Sequence, residues 1–116
     1  MLIDTRAIGF PLTKGILRHV RSRLETALGP FARNVLRVTV RLEDVNADRG
    51  GVDKRCSAVV ALRRRGVLVA EATHEDMYVA VDDVATRLRR SLKRAVQRRV
   101  ALQRKDPQRP GTLVTA

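Results

Sequence analysis

Four stretches of this chain alternate apolar with polar residues, and two others repeat apolar residues every three to four positions. Residues 1–7, MLIDTRA, set Ile3, Thr5 and Ala7 against Leu2, Asp4 and Arg6, which predicts a short first strand. After the turn-forming IGFPLT, Thr13 is suited to cap a helix, and Ile16, Val20, Leu24 and Leu28 follow at four-residue steps along one side of it. Gly29 and Pro30 then stop that helix in the usual order, glycine first and proline behind it. VLRVTVRLED predicts a half-buried strand with Leu36, Val38, Val40 and Leu42 on the core face and Arg37, Thr39, Arg41 and Glu43 on the other. A polar loop, NADRGGVDK, leads into a third strand from Arg55 to Arg63, with Cys56, Ala58, Val60 and Leu62 inward. RRRG at 63–66 is a tight turn into VLVAEA, the fourth strand.

The last element is a long helix. Thr73 and Asp76 are suited to a capping box, and Met77, Val81, Val84, Leu88, Leu92 and Ala95 form an apolar stripe at helical spacing. Carried to about Leu102 the helix would span roughly 40 Å at about 1.5 Å per residue, so its last turns project beyond the core. The order is β-α-β-β-β-α. An α+β domain over residues 1–102 follows, with both helices packed on one face of a four-stranded, mainly antiparallel sheet. Residues 103–116, with two prolines and no period, read as a flexible tail.

Charge changes this picture. The 116 residues carry 24 Lys and Arg against 12 Asp and Glu, a formal charge of +12 that opposes compaction and points to a polyanionic partner. The charge is also unevenly placed. Residues 71–83 hold Glu71, Glu75, Asp76, Asp82 and Asp83 and no base, whereas 87–105 hold Arg87, Arg89, Arg90, Lys93, Arg94, Arg98, Arg99, Arg104 and Lys105 and no acid. Complementing a helix dipole accounts for charges in the terminal turns only. Like charges four apart, as in Arg90, Arg94 and Arg98, cost a few tenths of a kcal/mol per pair (~0.3), so a neutralising partner is expected outside the chain. Arg87, Arg90, Arg94 and Arg98 fall on one side of the helix, and with Arg18 and Arg21 of the first helix they are expected to form one basic surface with a groove between the helices.

Arginine's planar fork suits bidentate contact with phosphate. Aromatics make up 3% of the chain, so there is no ladder of rings for stacking single-stranded bases, and recognition of folded RNA through its backbone fits better. The single cysteine, Cys56, excludes an internal disulfide and reads as a small core residue. No apolar run approaches the about 18 residues of a membrane span, and no leader pattern opens the chain, so a cytoplasmic protein without a membrane partner is expected. Neither His19 nor His74 has a catalytic or metal-binding partner at a recognisable spacing, and adjacent Asp82 and Asp83 point about 100° apart on a helix. No enzyme activity, small-molecule substrate, metal or other cofactor is expected.

TKGILRHVRSRL (13–24), GVLVAEATHEDMY (66–78) and AVDDVATRLRRSLKR (80–94), in this order and spacing, resemble the ribosome hibernation-promoting factors, also called ribosomal subunit interface proteins. The HEDMY turn and the basic helix behind it carry most of the likeness, which covers about residues 1–100. The resemblance implies a fold similar to a double-stranded-RNA-binding domain and a protein that binds the small ribosomal subunit in the channel for messenger and transfer RNA, stopping translation in stressed or stationary cells. It implies contacts with ribosomal RNA at Arg87, Arg90 and Arg94 and at the motif aromatic, Tyr78, with Arg89, Lys93, Arg98, Arg18 and Arg21 as further candidates.

Leu17 stands where that family usually has a base, with Arg18 beside it, and Arg89 stands where relatives are often acidic or polar. The hairpin loop DVNADRGGVDKRC is longer than in the plainest members, and the second, dimerisation domain of long-form members is not expected here. An older family name, modulator of an alternative sigma factor, gives the rival reading. A protein-binding regulator would use the acids Glu75, Asp76, Asp82 and Asp83, or the open sheet face with Arg37 and Arg41. A general structured-RNA-binding module is the third reading.

Overall fold

The computed structural model describes residues 1–45, 53–64 and 66–105, with side chains described as far as Arg98. Its elements are β1 (Leu2–Ile8), α1 (Lys14–Leu28), a 3-10 helix (Gly29–Asn34), β2 (Val35–Asp44), β3 (Lys54–Leu62), β4 (Val67–His74) and α2 (Met77–Lys105). The order is β-α-β-β-β-α, as the periodicities predict. The strands form one mixed sheet in the order β1-β2-β3-β4. β1 runs parallel to β2, with Leu2 opposite Arg37, and the β2–β3 and β3–β4 pairs are antiparallel. Parallel neighbours need a long crossover connection, and α1 supplies it.

Both helices cover one face of the sheet. α1 buries Ile16, Val20, Leu24, Ala27 and Leu28; α2 buries Met77, Ala80, Val81, Val84, Ala85, Leu88, Leu92 and Ala95. Beneath them lie Val38, Val40 and Leu42 of β2, Cys56, Ala58 and Val60 of β3, and Leu68, Ala70 and Ala72 of β4. Burying a Val, Leu or Ile side chain stabilises by about 1.5–3 kcal/mol, so the aliphatic stripes supply the driving force without aromatics. Phe10 and Phe31 pack only at the margin.

Thr13 caps α1 as expected, its Oγ1 accepting from the Ile16 N–H at 3.2 Å. α1 ends at Leu28 with Gly29 as its C-cap, as expected, but Gly29 keeps a right-handed conformation (φ −50°), and the chain passes directly into the 3-10 helix with Pro30 in its first turn. Gly66 does take positive φ, 102°, where the β3–β4 turn closes with the Leu62 N–H donating to the Gly66 carbonyl.

The start of β2 also corrects the pattern. Leu36 is 51% exposed and Val35 is fully buried, because the ladder to β3 shifts register between Val35 and Arg37. One extra residue reverses the face of everything before it, since the side-chain period is two. Val38, Val40 and Leu42 are inward as predicted. At α2, Thr73 belongs to β4 and makes no capping box. Asp76 caps the helix instead: its Oδ1 accepts from the Tyr78 N–H at 2.9 Å, and its carbonyl accepts from the Ala80 N–H.

β3 starts at Lys54, one residue before its predicted start. The longer hairpin loop noted in the sequence falls largely on residues 46–52, outside the described residues. At the loop's base Asp53 is buried, its Oδ1 accepting from Lys54 Nζ at 3.0 Å, and the same ammonium lies 3.3 Å from Asp44 Oδ2. The hydrogen bond to Asp53, more than any other influence, raises the Lys54 pKa above its ordinary value. Burial pushes the Cys56 thiol up to about 12. α2 runs 29 residues, roughly 44 Å, to Lys105, and the expected tail from 106 onward lies outside the described residues.

Candidate nucleic-acid interface

The buried stripe of α2 fixes the rotation of the helix, and with it the direction of every cation. At about 100° per residue, Arg87, Arg94 and Arg98 fall on the flank beside β4, and Arg90 points furthest from the sheet. Arg89 and Lys93 fall on the other flank, towards α1. All six are exposed. On the β4 flank Arg87 reaches the edge of the sheet, where its Nη1 donates to the Glu71 carbonyl. Arg87, Arg90, Ser91 and Arg94 of α2, with Val69, Ala70 and Glu71 of β4, line an open groove of about 300 Å³.

The sequence places the basic groove between the two helices, and the structure corrects this. The seam between α1 and α2 is closed. Asp82 of α2 accepts from His19 Nε2 at 2.8 Å and from Arg23 Nε at 2.9 Å, both on α1. Since His19 and Arg23 mark the α2-facing flank of α1, Arg18 and Arg21 lie on its outer and far sides, exposed but across the helix from Arg87, Arg90 and Arg94. The structure therefore brings three of the predicted arginines together around the groove and leaves the α1 pair apart from them.

Tyr78 stands elsewhere again. It sits sixteen residues before Arg94, roughly 24 Å along the helix axis, on the flank towards α1. Its ring meets His19 edge-on, with centroids 4.8 Å apart, and its hydroxyl occupies space beside Gly15, where an added Cβ would lie 3.0 Å away. Tyr78 is 42% exposed, so it both seats the helices and presents a ring to solvent.

His19 thus has a carboxylate partner, Asp82, 63 positions away, which no local spacing could reveal. His74, the last residue of β4, accepts from the Asp76 N–H through its Nδ1. Among the described residues no three His, Cys, Asp or Glu side chains gather as a metal site would require, and no helix is long and apolar enough to cross a membrane.

On the open face of the sheet Arg6 pairs with Asp4 at 3.6 Å and Arg41 with Glu43 at 4.0 Å. Among the described residues Arg87, Arg89, Arg90, Lys93, Arg94 and Arg98 form no ion pair with an acid. A mixed sheet with two helices on one face and an unpaired arginine array along the second helix defines a class of small basic α+β proteins.

Comparison with known proteins narrows that class. The chain belongs to the family described as Sigma 54 modulation protein / S30EA ribosomal protein, whose model matches residues 3–100. Its fold is similar to the N-terminal domain of Thermus thermophilus Protein Y, with 23% identity and a TM-score of 0.69 over 81% of this chain and 98% of that one. It is likewise similar to a ribosomal subunit interface protein from Coxiella burnetii, with 20% identity and a TM-score of 0.70 over 81% of this chain and 96% of that one. No curated protein sequence matches it.

Proposed function

We propose that this protein binds the small ribosomal subunit in the channel for messenger and transfer RNA and thereby inhibits translation, as a factor of ribosome hibernation. The observation that carries the reading is the array Arg87, Arg90 and Arg94, held beside the β4 edge with no acidic partner among the described residues. Three guanidinium groups at intervals of three to four residues match the repeated phosphates of an RNA backbone, and Arg98 one turn further extends the track. Arg89 and Lys93 add to the positive field from the other flank. Membership of a family whose description includes a ribosomal protein supports the ribosome as the source of that RNA.

The regulator reading has less support. Of its acidic patch, Asp82 is already engaged by His19 and Arg23 and Asp76 caps α2, while Arg41 of the open sheet face is near Glu43. Co-sedimentation with purified small subunits tests the proposal. Saturation near one copy per subunit, reduced by added transfer RNA, is expected. Weak binding that never saturates would leave only a polycation and overturn it.

A further inference from the structure

We infer that the free edge of β4 is a docking site for an extended peptide segment of a protein partner, one in which acidic residues alternate with apolar ones. β4 ends the sheet, so one side of its backbone has no strand partner among the described residues. Which groups point outward follows from the ladder. The Leu62 N–H donates to the Gly66 carbonyl, so that pair is hydrogen-bonded, and pairs alternate along an antiparallel ladder. The N–H and carbonyl groups of Gly66, Leu68, Ala70 and Ala72 therefore face β3, and those of Val67, Val69, Glu71 and Thr73 face out. Arg87 agrees independently: it reaches the Glu71 carbonyl from outside the sheet.

Arg87 covers that carbonyl and leaves Val67 and Val69 open, which sets the length of the docking stretch. A strand added there makes main-chain hydrogen bonds to Val67 and Val69. Its residues directly opposite them share their face of the sheet. That face is apolar at this corner: Val67 is 52% exposed, Val69 66%, and Val59, paired with Val69 across the ladder, 41%. The intervening residues of the added strand point the other way, into the groove lined by Arg90, Ser91 and Arg94. Apolar residues are thus selected at every second position and carboxylates between them.

Charge argues against a second copy of this chain as the occupant, since two edges each flanked by Arg87, Arg90 and Arg94 repel. Peptide and RNA share Arg90 and Arg94, so they exclude each other, and the protein partner releases the chain from its anion. The inference stands on the β4 edge and does not require the RNA to be ribosomal.

Amide hydrogen exchange of the full chain, read by NMR at Val67 and Val69, tests it with a capped Gly-Val-Glu-Val-Asp-Val-Gly peptide. Exchange at both amides is expected to be fast in the free chain and to slow at least tenfold at saturation. The same peptide with lysine for its acids is expected to leave exchange unchanged, and one N-methylated at its valines to bind at least tenfold more weakly. Val69→Pro removes an outward N–H without touching the β3 ladder and is expected to lose binding while the Leu68 and Ala70 amides stay protected. Equal binding of the N-methylated peptide to the unaltered protein would reduce the contact to charge attraction and overturn the proposal. So would protection already present in the free chain: independent of concentration it would mean the edge is filled by residues 106–116, and rising with concentration it would mean a second copy.

Discussion

Replacing Arg87, Arg90 and Arg94 together by glutamine tests the interface quantitatively. The three side chains are exposed, and glutamine favours a helix about as well as arginine, so the fold should survive. Each phosphate contact releases counterions and contributes about 0.7–0.9 log units of affinity per tenfold change in salt. Removing three such arginines at once flattens the salt dependence by about 2–2.7 log units. The variant should therefore bind small subunits about 100- to 500-fold more weakly than the parent at 0.1 M monovalent salt, with the two curves converging near 1 M. Labelled protein titrated against subunits at several salt concentrations and constant magnesium gives both slopes. Parallel slopes would refute the reasoning, because they would mean that these arginines neutralise no phosphate. The stability of the variant is a control: exposed substitutions shift it by about 0.5 kcal/mol or less each, and water can replace Arg87 at the Glu71 carbonyl.

Asp82→Asn weakens the acceptor shared by His19 and Arg23, and because the groups are partly exposed the cost should be about 0.5–1 kcal/mol in urea unfolding. A double-mutant cycle with Arg23→Gln should show coupling, and strict additivity would argue against the cross-helix link. Lys54→Met leaves Asp53 buried without its cation and should lower stability in urea unfolding. The folded-state pKa of Lys54 is raised, so its contribution is complete below the unfolded value of about 10.4 and fades as pH rises through the folded one. The stability gap between parent and Lys54→Met should thus narrow from pH 9 to pH 11.5, and a gap that widens would reverse the assignment. Cys56, with its thiol pushed up to about 12 by burial, should react with Ellman's reagent only as the protein unfolds; rapid labelling of the native state would contradict its place in the core.

Most of the architecture was legible because the apolar stripes are long and regular. Ile16 to Leu28 and Met77 to Ala95 are buried at the predicted positions, as are the inward residues of β3. The misreadings occur where a local rule met a neighbour. Leu36 satisfies the alternation of its own strand, but the register shift against β3 turns it outward and brings Val35 in. Gly29 followed by Pro30 does end α1 at Leu28, but nothing in that signal showed the 3-10 helix that carries the chain on to β2. Charge and helical spacing were enough to place Arg87, Arg90 and Arg94 on one exposed side of a helix. Which neighbours they face was not legible, because the position of α2 between α1 and the β4 edge depends on packing that no single segment encodes. Asp82 falls within the acidic patch when the sequence alone is read, and its role in joining two helices emerges only when residues 63 apart are neighbours.

The parallel pairing of β1 has a consequence for the order of events during folding. β2, β3 and β4 are joined by hairpins, and their contacts close over short loops. Among the described strands β1 pairs with β2 alone, and each of its pairs spans 35 positions, Leu2 with Arg37 through Ile8 with Glu43. None of its residues is fully buried. Closing so long a loop costs chain entropy before any contact offsets it, and this strand has little buried surface with which to do so. Of the four strands, the one synthesised first is thus expected to be the last to take its place, and the sheet grows from its C-terminal hairpins towards β1.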